Sequence, residues 1–456
     1  MNPPALALSA HAPDETLALG PQGPVTAARF FADAQSVAEA LPASQYVLNT
    51  CHDRYLFMVG LGAALLAGRP TLMPSSLAPE SVRQLQERYP QLLCLHDGQE
   101  HPEGLPAWPV APPAAGAARA LQDAPLIEAS QVAAIVFTSG TTGAPTAHIK
   151  RWGGLCADGE AEARRIGSQG LAIIATVPSQ HMYGLESSVM LTLRGGARLW
   201  RERPFYPADI CAALRAAPGP RMLVTTPFHL GALLAAQVAL PSCERLLCST
   251  APLPVALARQ AEAAFGSPLT EIYGCTESGQ IATRRPTQDE AWHLLDGVQL
   301  DVSAEGAWAH GGHVQIRVKL SDHIEPLDER RFRLGSRHAD MVNVAGKRAS
   351  LSALTAQLLG VEGVTDGCFF LPQNPAAEKQ ASVQRLAALV VAAPGMTPER
   401  IMAALRQRMD PAFLPRPLLP VPALPRNATG KIIAKEVQAL YQTLCQPPRQ
   451  IEGERG

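Results

Sequence analysis

The stretch that decides the fold is VAAIVFTSGTTGAPTAHIK, residues 132–150. It opens as an apolar run, Val132 to Phe137, and turns abruptly into Thr138, Ser139, Gly140, Thr141, Thr142 and Gly143, with Pro145 close behind. Ser, Thr and Gly are ordinary loop formers, so a surface turn is one reading of this composition. A solvated linker, however, has no need of a buried strand to aim it, nor of so many hydroxyls and side-chain-free positions in one arc. Phosphate does: it takes backbone N–H groups, hydroxyl donors and room for close approach. Two familiar phosphate loops are excluded by spacing. A Walker loop needs four residues between its glycines and then Lys-Ser/Thr, whereas only Thr141 and Thr142 separate Gly140 from Gly143 and no Lys follows. The dinucleotide pattern G-x-G-x-x-G has only an echo at Gly60 and Gly62, inside an apolar helix-like run where Leu65 takes the third position.

Outward from this stretch, 456 residues predict two or three domains with a large core. With 47% hydrophobic and 17% charged residues the chain reads as globular and not disordered. Lys plus Arg (39) and Asp plus Glu (40) nearly cancel, so no generalised nucleic-acid surface is expected. The nine cysteines are scattered without a C-x-x-C pair, which points to neither a zinc site nor a disulfide framework and fits a reducing cytoplasm. The longest apolar run, Tyr55 to Gly68, is shorter than the roughly 20 residues of a bilayer span. The N-terminus lacks the basic start of a secretory signal, so the expectation is a soluble, unexported protein.

Helical patterns such as PESVRQLQERY alternate with short apolar segments, QLLCLHD, LAIIATVP, RMLVTTP and RLLCST. This predicts an α/β fold of layered, largely parallel sheets. After DGVQLDV the texture changes to the polar–apolar alternation of GGHVQIRVKL and RRFRLGS, which predicts a small antiparallel, β-barrel-like part. From about Met341, helix signals in LSALTAQLLG and TPERIMAALRQRM and a Pro-rich stretch leading to Gly430-Lys431 predict a small α+β C-terminal domain. The expected division is a large domain over residues 1–336, a hinge at 337–340 and a small mobile domain over 341–456.

Further stretches carry chemistry. In EIYGCTESG, Thr276 and Glu277 follow a strand-like Ile272-Tyr273 and Gly274. A hydroxyl beside a carboxylate can hold a phosphate oxygen and its Mg²⁺, and a polar turn is the plain alternative. Asp322 stands ahead of Arg337, NVAGKR holds Gly346 and Arg348, and Lys431 follows Thr429-Gly430 in LPRNATGKII.

Together and in this order the stretches resemble the adenylate-forming superfamily: acyl-CoA synthetases, aryl-CoA ligases and the adenylation domains of peptide synthetases. TSGTTGAP is similar to that family's T-S-G-T-T-G-x-P-K, YGCTES to its Y-G-x-T-E, and PRNATGKI to its P-x-x-x-x-G-K-I. VPSQHMYGLE resembles its P-x-x-H-x-x-G segment and LLCSTAPLP its S-G-A-P-L segment; the likeness runs from about Tyr46 to Ile433. It implies ATP and Mg²⁺ as cofactors. Thr138, Ser139, Gly140, Thr141, Thr142 and Gly143 would cradle the β- and γ-phosphates, Tyr273 and Gly274 would lie against the nucleotide, and Thr276 would touch the α-phosphate. Glu277 would hold Mg²⁺. Asp322, an acceptor-only carboxylate, suits the ribose diol, and Arg337 would steady the nucleotide. Lys431 would neutralise charge building as carboxylate oxygen attacks phosphorus. His181, Gly184, Ala251, Cys275 and Gly279 would contact the acid; His181 alone reads as a hydrogen-bonded loop residue, and Cys275 as small pocket lining, since no base motif accompanies it.

The implied activity is ATP-dependent formation of an acyl-adenylate and transfer to a phosphopantetheine thiol of CoA or an acyl carrier protein, the C-terminal domain rotating about Ser336 to Asp340 between the steps. Compact size and a pocket lined by HMYGLE, TTPFHLG and GCTESGQI favour a small aryl or short acyl acid. Two departures stand out: Thr146 takes the place of the family's loop lysine, with Lys150 the next cation, and Ala339 takes the usual hinge position. Lys150 either compensates or is a solvated residue. The rival reading is a nucleotide-binding regulatory protein without ligase activity, against which the retained Lys431 argues.

Overall fold

The computed structural model describes residues 4–74, 76–99, 101–112, 121, 123–138, 146–337, 341–344, 347–372 and 385–445. The chain divides into two compact units, the first Met1–Leu320 with Glu325–Arg333, the second Ser321–Ile324 with Leu334–Gly456.

In the first unit the opening stretch builds the edge of a six-stranded sheet. Val132–Thr138 pairs in parallel with Thr71–Met73 and antiparallel with Thr146–Arg151, followed across the sheet by Tyr46–Asn49, Leu92–His96 and Ala107–Pro109. Ile135, Val136 and Phe137 are all buried, and each such side chain contributes about 1.5–3 kcal/mol relative to an exposed one. The apolar run from Tyr55 forms the helix Arg54–Leu66, 13 residues long, capped by Asp53 and buried nearly all round. Gly60 and Gly62 serve packing there: a Cβ would meet Asn49 Nδ2 at 2.6 Å and Ala34 Cβ at 3.1 Å respectively. Among the described residues no helix is long and apolar enough to cross a membrane.

The second sheet has eleven strands. Its centre, Leu269–Cys275, Arg245–Cys248, Arg221–Thr225, Ala172–Ala175, Arg198–Trp200 and Thr16–Leu19, is parallel, as the buried apolar runs predict. Its flanks are antiparallel, so the sheet is mixed. Gly279–Arg284 turns back on Leu269–Cys275, and beyond it lie Trp292–Leu294, Arg331–Arg337 and Asp322–Pro326. The division between units falls within these last two strands. RRFRLGS therefore belongs to the large sheet, while Gln299–Ser303, Gly306–Gly311 and Val314–Leu320 alone form a three-stranded antiparallel meander. Alternation reports a one-sided strand but not which sheet it joins.

The helix Trp152–Ile166 ends at Gly167 in the left-handed region, φ 66°. At Gly159 it meets the wide π-helical turn Leu185–Met190 so closely that a Cβ would lie 3.0 Å from Met190 O. In the second unit, Val364–Phe370, Ala387–Ala392 and Leu418–Pro420 form a sheet packed by the helices Leu351–Leu359 and Pro398–Arg406, capped by Ser350 and Thr397. Leu354, Leu358, Phe369, Ile401 and Leu405 fill its core.

Candidate active site

Two stretches singled out in the sequence meet at one hairpin tip. The antiparallel strands Leu269–Cys275 and Gly279–Arg284 leave Thr276, Glu277 and Ser278 as their turn. The turn needs its glycines. A Cβ on Gly274 would lie 2.3 Å from the carbonyl of Gly279, and Gly279 itself has φ +79°. Below the tip, Glu271 accepts from Leu253 N at 3.1 Å and pairs with Arg284 at 2.7 Å, whose guanidinium stacks on Trp292. Tyr273 is buried with its ring 5.5 Å from Trp292 and 5.9 Å from Phe332. Cys275 Sγ lies 3.1 Å from Ser278 Oγ. Burial, helped by the nearby Glu277 charge, holds its thiol above the ordinary range, which suits a lining residue and not a thiolate nucleophile.

Against this tip stands the strand Thr146–Arg151. His148 and Lys150, two residues apart and so on one face, both reach Glu277. Lys150 Nζ donates to the Glu277 backbone carbonyl at 3.0 Å, and His148 Nε2 lies 3.6 Å from its carboxylate. His148 Nε2 is also 2.9 Å from Thr138 Oγ1, the last described residue before the loop. Burial lowers the His148 pKa. Ser139, Gly140, Thr141, Thr142 and Gly143 lie outside the described residues; Thr138 and the exposed Thr146 face each other across the strand pair. The strands entering and leaving the loop are therefore tied to the Thr276–Glu277 turn. Lys150 is bonded, not solvated, and His148 is a residue that sequence reasoning missed.

The segment carrying His181 is held by a second missed residue. Arg54, 1% exposed, donates to Ala175 O at 2.7 Å, to Val177 O, to Ser179 Oγ at 3.1 Å and to Ser188 Oγ at 3.3 Å. Burial lowers its pKa to about 9, still charged near neutrality. His181 caps the short helix Met182–Gly184, its Nδ1 accepting from Tyr183 N at 3.2 Å. Gly184 packs on backbone: a Cβ there would collide with Pro178 O. Ala251 is exposed in the loop after Arg245–Cys248, next to Thr250, whose φ is +83°. Ser249 Oγ anchors that loop to Ile272 O at 3.1 Å.

In the second unit Asp322 is buried at the start of its strand, and Arg337 ends the strand Arg331–Arg337, its side chain outside the described residues. The hinge residues 338–340 and Gly346 lie outside them too. Lys431 is exposed on a turn organised by Asn427, whose Oδ1 accepts from Thr429 N, Thr429 Oγ1 and Lys431 N at 3.0, 2.7 and 2.9 Å. Gly430 takes φ 77° there, and Arg426 clamps the turn to Asp366 at 2.6 Å.

The sequence profile of the AMP-binding enzyme family matches residues 34–302, more than half of the chain. The chain belongs to the AMP-binding enzyme family. Its relatives include a 4-coumarate–CoA ligase of Rhodobacter capsulatus, 33% identical over 239 residues, a match spanning 52% of this chain and 60% of the relative's length. Among solved structures, ATP-bound MatB of Rhodopseudomonas palustris superposes with a TM-score of 0.77 at 18% identity, covering 95% of this chain and 97% of that one. O-succinylbenzoate coenzyme A synthetase of Bacillus subtilis, in complex with ATP and magnesium ion, gives 0.76 at 16% identity over 93% and 97%. At such identities the likeness establishes the fold.

For this AMP-binding enzyme the Glu277 donor set fits Mg²⁺. Its carboxylate is 38% exposed at a hairpin tip, while Lys150 occupies its carbonyl oxygen. Mg²⁺ is commonly held by one or two carboxylates, with substrate phosphates and water completing the shell. Among the described residues no three His, Cys, Asp or Glu side chains are placed to hold a metal by themselves.

Proposed function

We propose that the protein activates a small carboxylic acid with MgATP, forming an acyl-adenylate and pyrophosphate, and then passes the acyl group to a phosphopantetheine thiol. The observation that carries this is the tie between the loop strands and the Thr276–Glu277 turn through His148 and Lys150. It supports reading the hydroxyl- and glycine-rich loop and the carboxylate turn as one polyphosphate site.

In this reading Glu277 holds Mg²⁺, which when bound offsets the charge of the phosphates. Thr138 to Gly143 cradle the β- and γ-phosphates, Thr276 donates to the α-phosphate, and Asp322 accepts from the ribose hydroxyls. Lys431 supplies positive charge as a carboxylate oxygen attacks the α-phosphorus and the bond to pyrophosphate breaks. The thiol then attacks the acyl carbon and AMP leaves. The acid is a small aryl or short acyl compound, in keeping with the coumarate-type relative. The acceptor is CoA or an acyl carrier protein, and the setting is the cytoplasm.

The test is acid-dependent exchange of labelled pyrophosphate into ATP over a panel of acids, followed by transfer to CoA and to a holo carrier protein. Acid-dependent exchange is expected. ATP binding without exchange for any acid would instead support a nucleotide-binding regulatory protein.

A further inference from the structure

Directly beneath the Gly274–Gly279 hairpin lies a buried set of polar side chains whose hydrogen bonds are incomplete. The close approach at Gly159 brings Asp158 and Glu162 of the helix Trp152–Ile166 against Glu186 and Ser187 of the turn Leu185–Met190. Gln280 and His313 complete the set. Asp158, Glu162, Glu186 and Gln280 are 3%, 0%, 3% and 2% exposed. Ser187 Oγ donates to Glu162 Oε1 at 2.7 Å and accepts from Gln280 Nε2 at 2.9 Å. His313 Nε2 bonds to Gln280 O and lies 3.4 Å from Asp158 Oδ1.

Asp158 Oδ1, Glu162 Oε2, Glu186 Oε1, the amide oxygen Gln280 Oε1 and the ring nitrogen His313 Nδ1 have no hydrogen-bond partner. Buried polar groups are paired in the great majority of cases, because an unmet one keeps its full desolvation cost. Burial raises the Glu162 carboxyl to about 8 and Glu186 well above the usual range, the latter also through its contact with Asp158. Proton uptake relieves carboxylates in this way; an amide oxygen takes up no proton, so Gln280 Oε1 is the member of the set that calls for a donor brought to it.

Gly279 connects this set to the hairpin. A Cβ at that position would lie 2.8 Å from Glu186 Oε1 and 3.5 Å from Asp158 Oδ2, so the absent side chain leaves the carboxyls facing the residue expected to contact the acid. We infer that the acid substrate carries a hydrogen-bond donor, a hydroxyl or an ammonium group, at the end remote from its carboxylate, and that Glu186, Glu162 and Gln280 read it. This inference rests on the ligase reading above. Residues of this set act on specificity and not on the transferred atoms.

The experiment compares matched acids in pyrophosphate exchange: 4-methyl-, 4-hydroxy- and 4-(aminomethyl)benzoate, and hexanoate, 5-hydroxypentanoate and 5-aminopentanoate. Sites built to hydrogen-bond a substrate group reject analogues lacking it by large factors. In at least one series the hydroxyl or amine acid should exceed its methyl counterpart in kcat/KM by about a hundredfold or more. Preference between hydroxyl and amine identifies the donor, and either supports the inference. In Glu186→Gln the donor-to-methyl ratio should fall about tenfold, as expected when a buried donor loses its acceptor. Equal use of methyl and donor acids by the wild-type protein overturns the inference while leaving the ligase reading intact, as does a Glu186→Gln ratio that does not move. No exchange with any acid overturns the ligase reading and this inference with it.

Discussion

Lys150 and Glu277, 127 residues apart in sequence, are joined by one hydrogen bond from Nζ to the backbone carbonyl at 3.0 Å. The bond fixes the carboxylate turn against the strand that leaves the loop, a different task from supplying charge at the position of Thr146. A charged hydrogen bond of this kind contributes about 1.5–3 kcal/mol. Lys150→Ala is expected to raise the KM for MgATP by about ten- to a hundredfold, and adding Thr146→Lys should leave the defect in place. Recovery in the double variant would show that only the charge matters.

Lys431 stands on a turn whose shape comes from Asn427 and Gly430 and not from the lysine itself. Lys431→Ala should therefore fold normally. Pyrophosphate exchange is expected to drop about 10²–10³-fold, the usual loss for a group that stabilises developing charge. Transfer from a synthetic acyl-adenylate to thiol should be largely kept. Equal loss of both half-reactions would contradict a role confined to adenylation.

His229 gives a pH signature. It is buried, its Nδ1 is 2.9 Å from Thr226 Oγ1, and Phe205 and Phe228 lie against its ring. Burial, with Arg203 nearby, lowers its pKa to about 4 from the ordinary 6.5. Between these values the unfolded chain binds a proton that the folded chain refuses. Its contribution is thus whole above pH 6.5 and is lost as pH falls towards 4, on the order of 3 kcal/mol. Urea unfolding of His229→Gln should show a shallower loss of stability over that window. An unchanged slope would place the titration elsewhere.

Thr250 holds φ +83° although it is β-branched, a conformation that glycine adopts without penalty. Such strain costs on the order of 1–3 kcal/mol, partly offset in a glycine variant by greater freedom of the unfolded chain. Thr250→Gly is expected to raise the melting temperature of the first unit by about 1–3 °C. A lower melting temperature would mean that the threonine side chain contributes more than its backbone strain costs.

The alternation of short apolar strands with amphipathic helices made the layered α/β fold legible, because strand and helix periods are properties of neighbouring residues. The Gly274–Glu277 turn and the Gly430-Lys431 turn were legible for the same reason: turn geometry is written within a few positions. What adjacency cannot supply is pairing over distance. Asp158, Glu160 and Glu162 look alike on a helix, and only its packing at Gly159 buries Asp158 and Glu162 beside Glu186 while leaving Glu160 to pair with Arg194 nearer the surface. RRFRLGS announced a strand, yet which sheet it completes depends on hydrogen bonds to Trp292–Leu294. His148 and Arg54 carried no signal, and Lys150 stood out only as the next cation after the loop, because their partners, Glu277 and the segment Ala175 to Ser188, are brought to them by strand register and helix burial. Sequence determined which local shapes and chemistries exist; the fold decided which of them share a site, since burial and hydrogen-bond completion are settled only when remote elements pack.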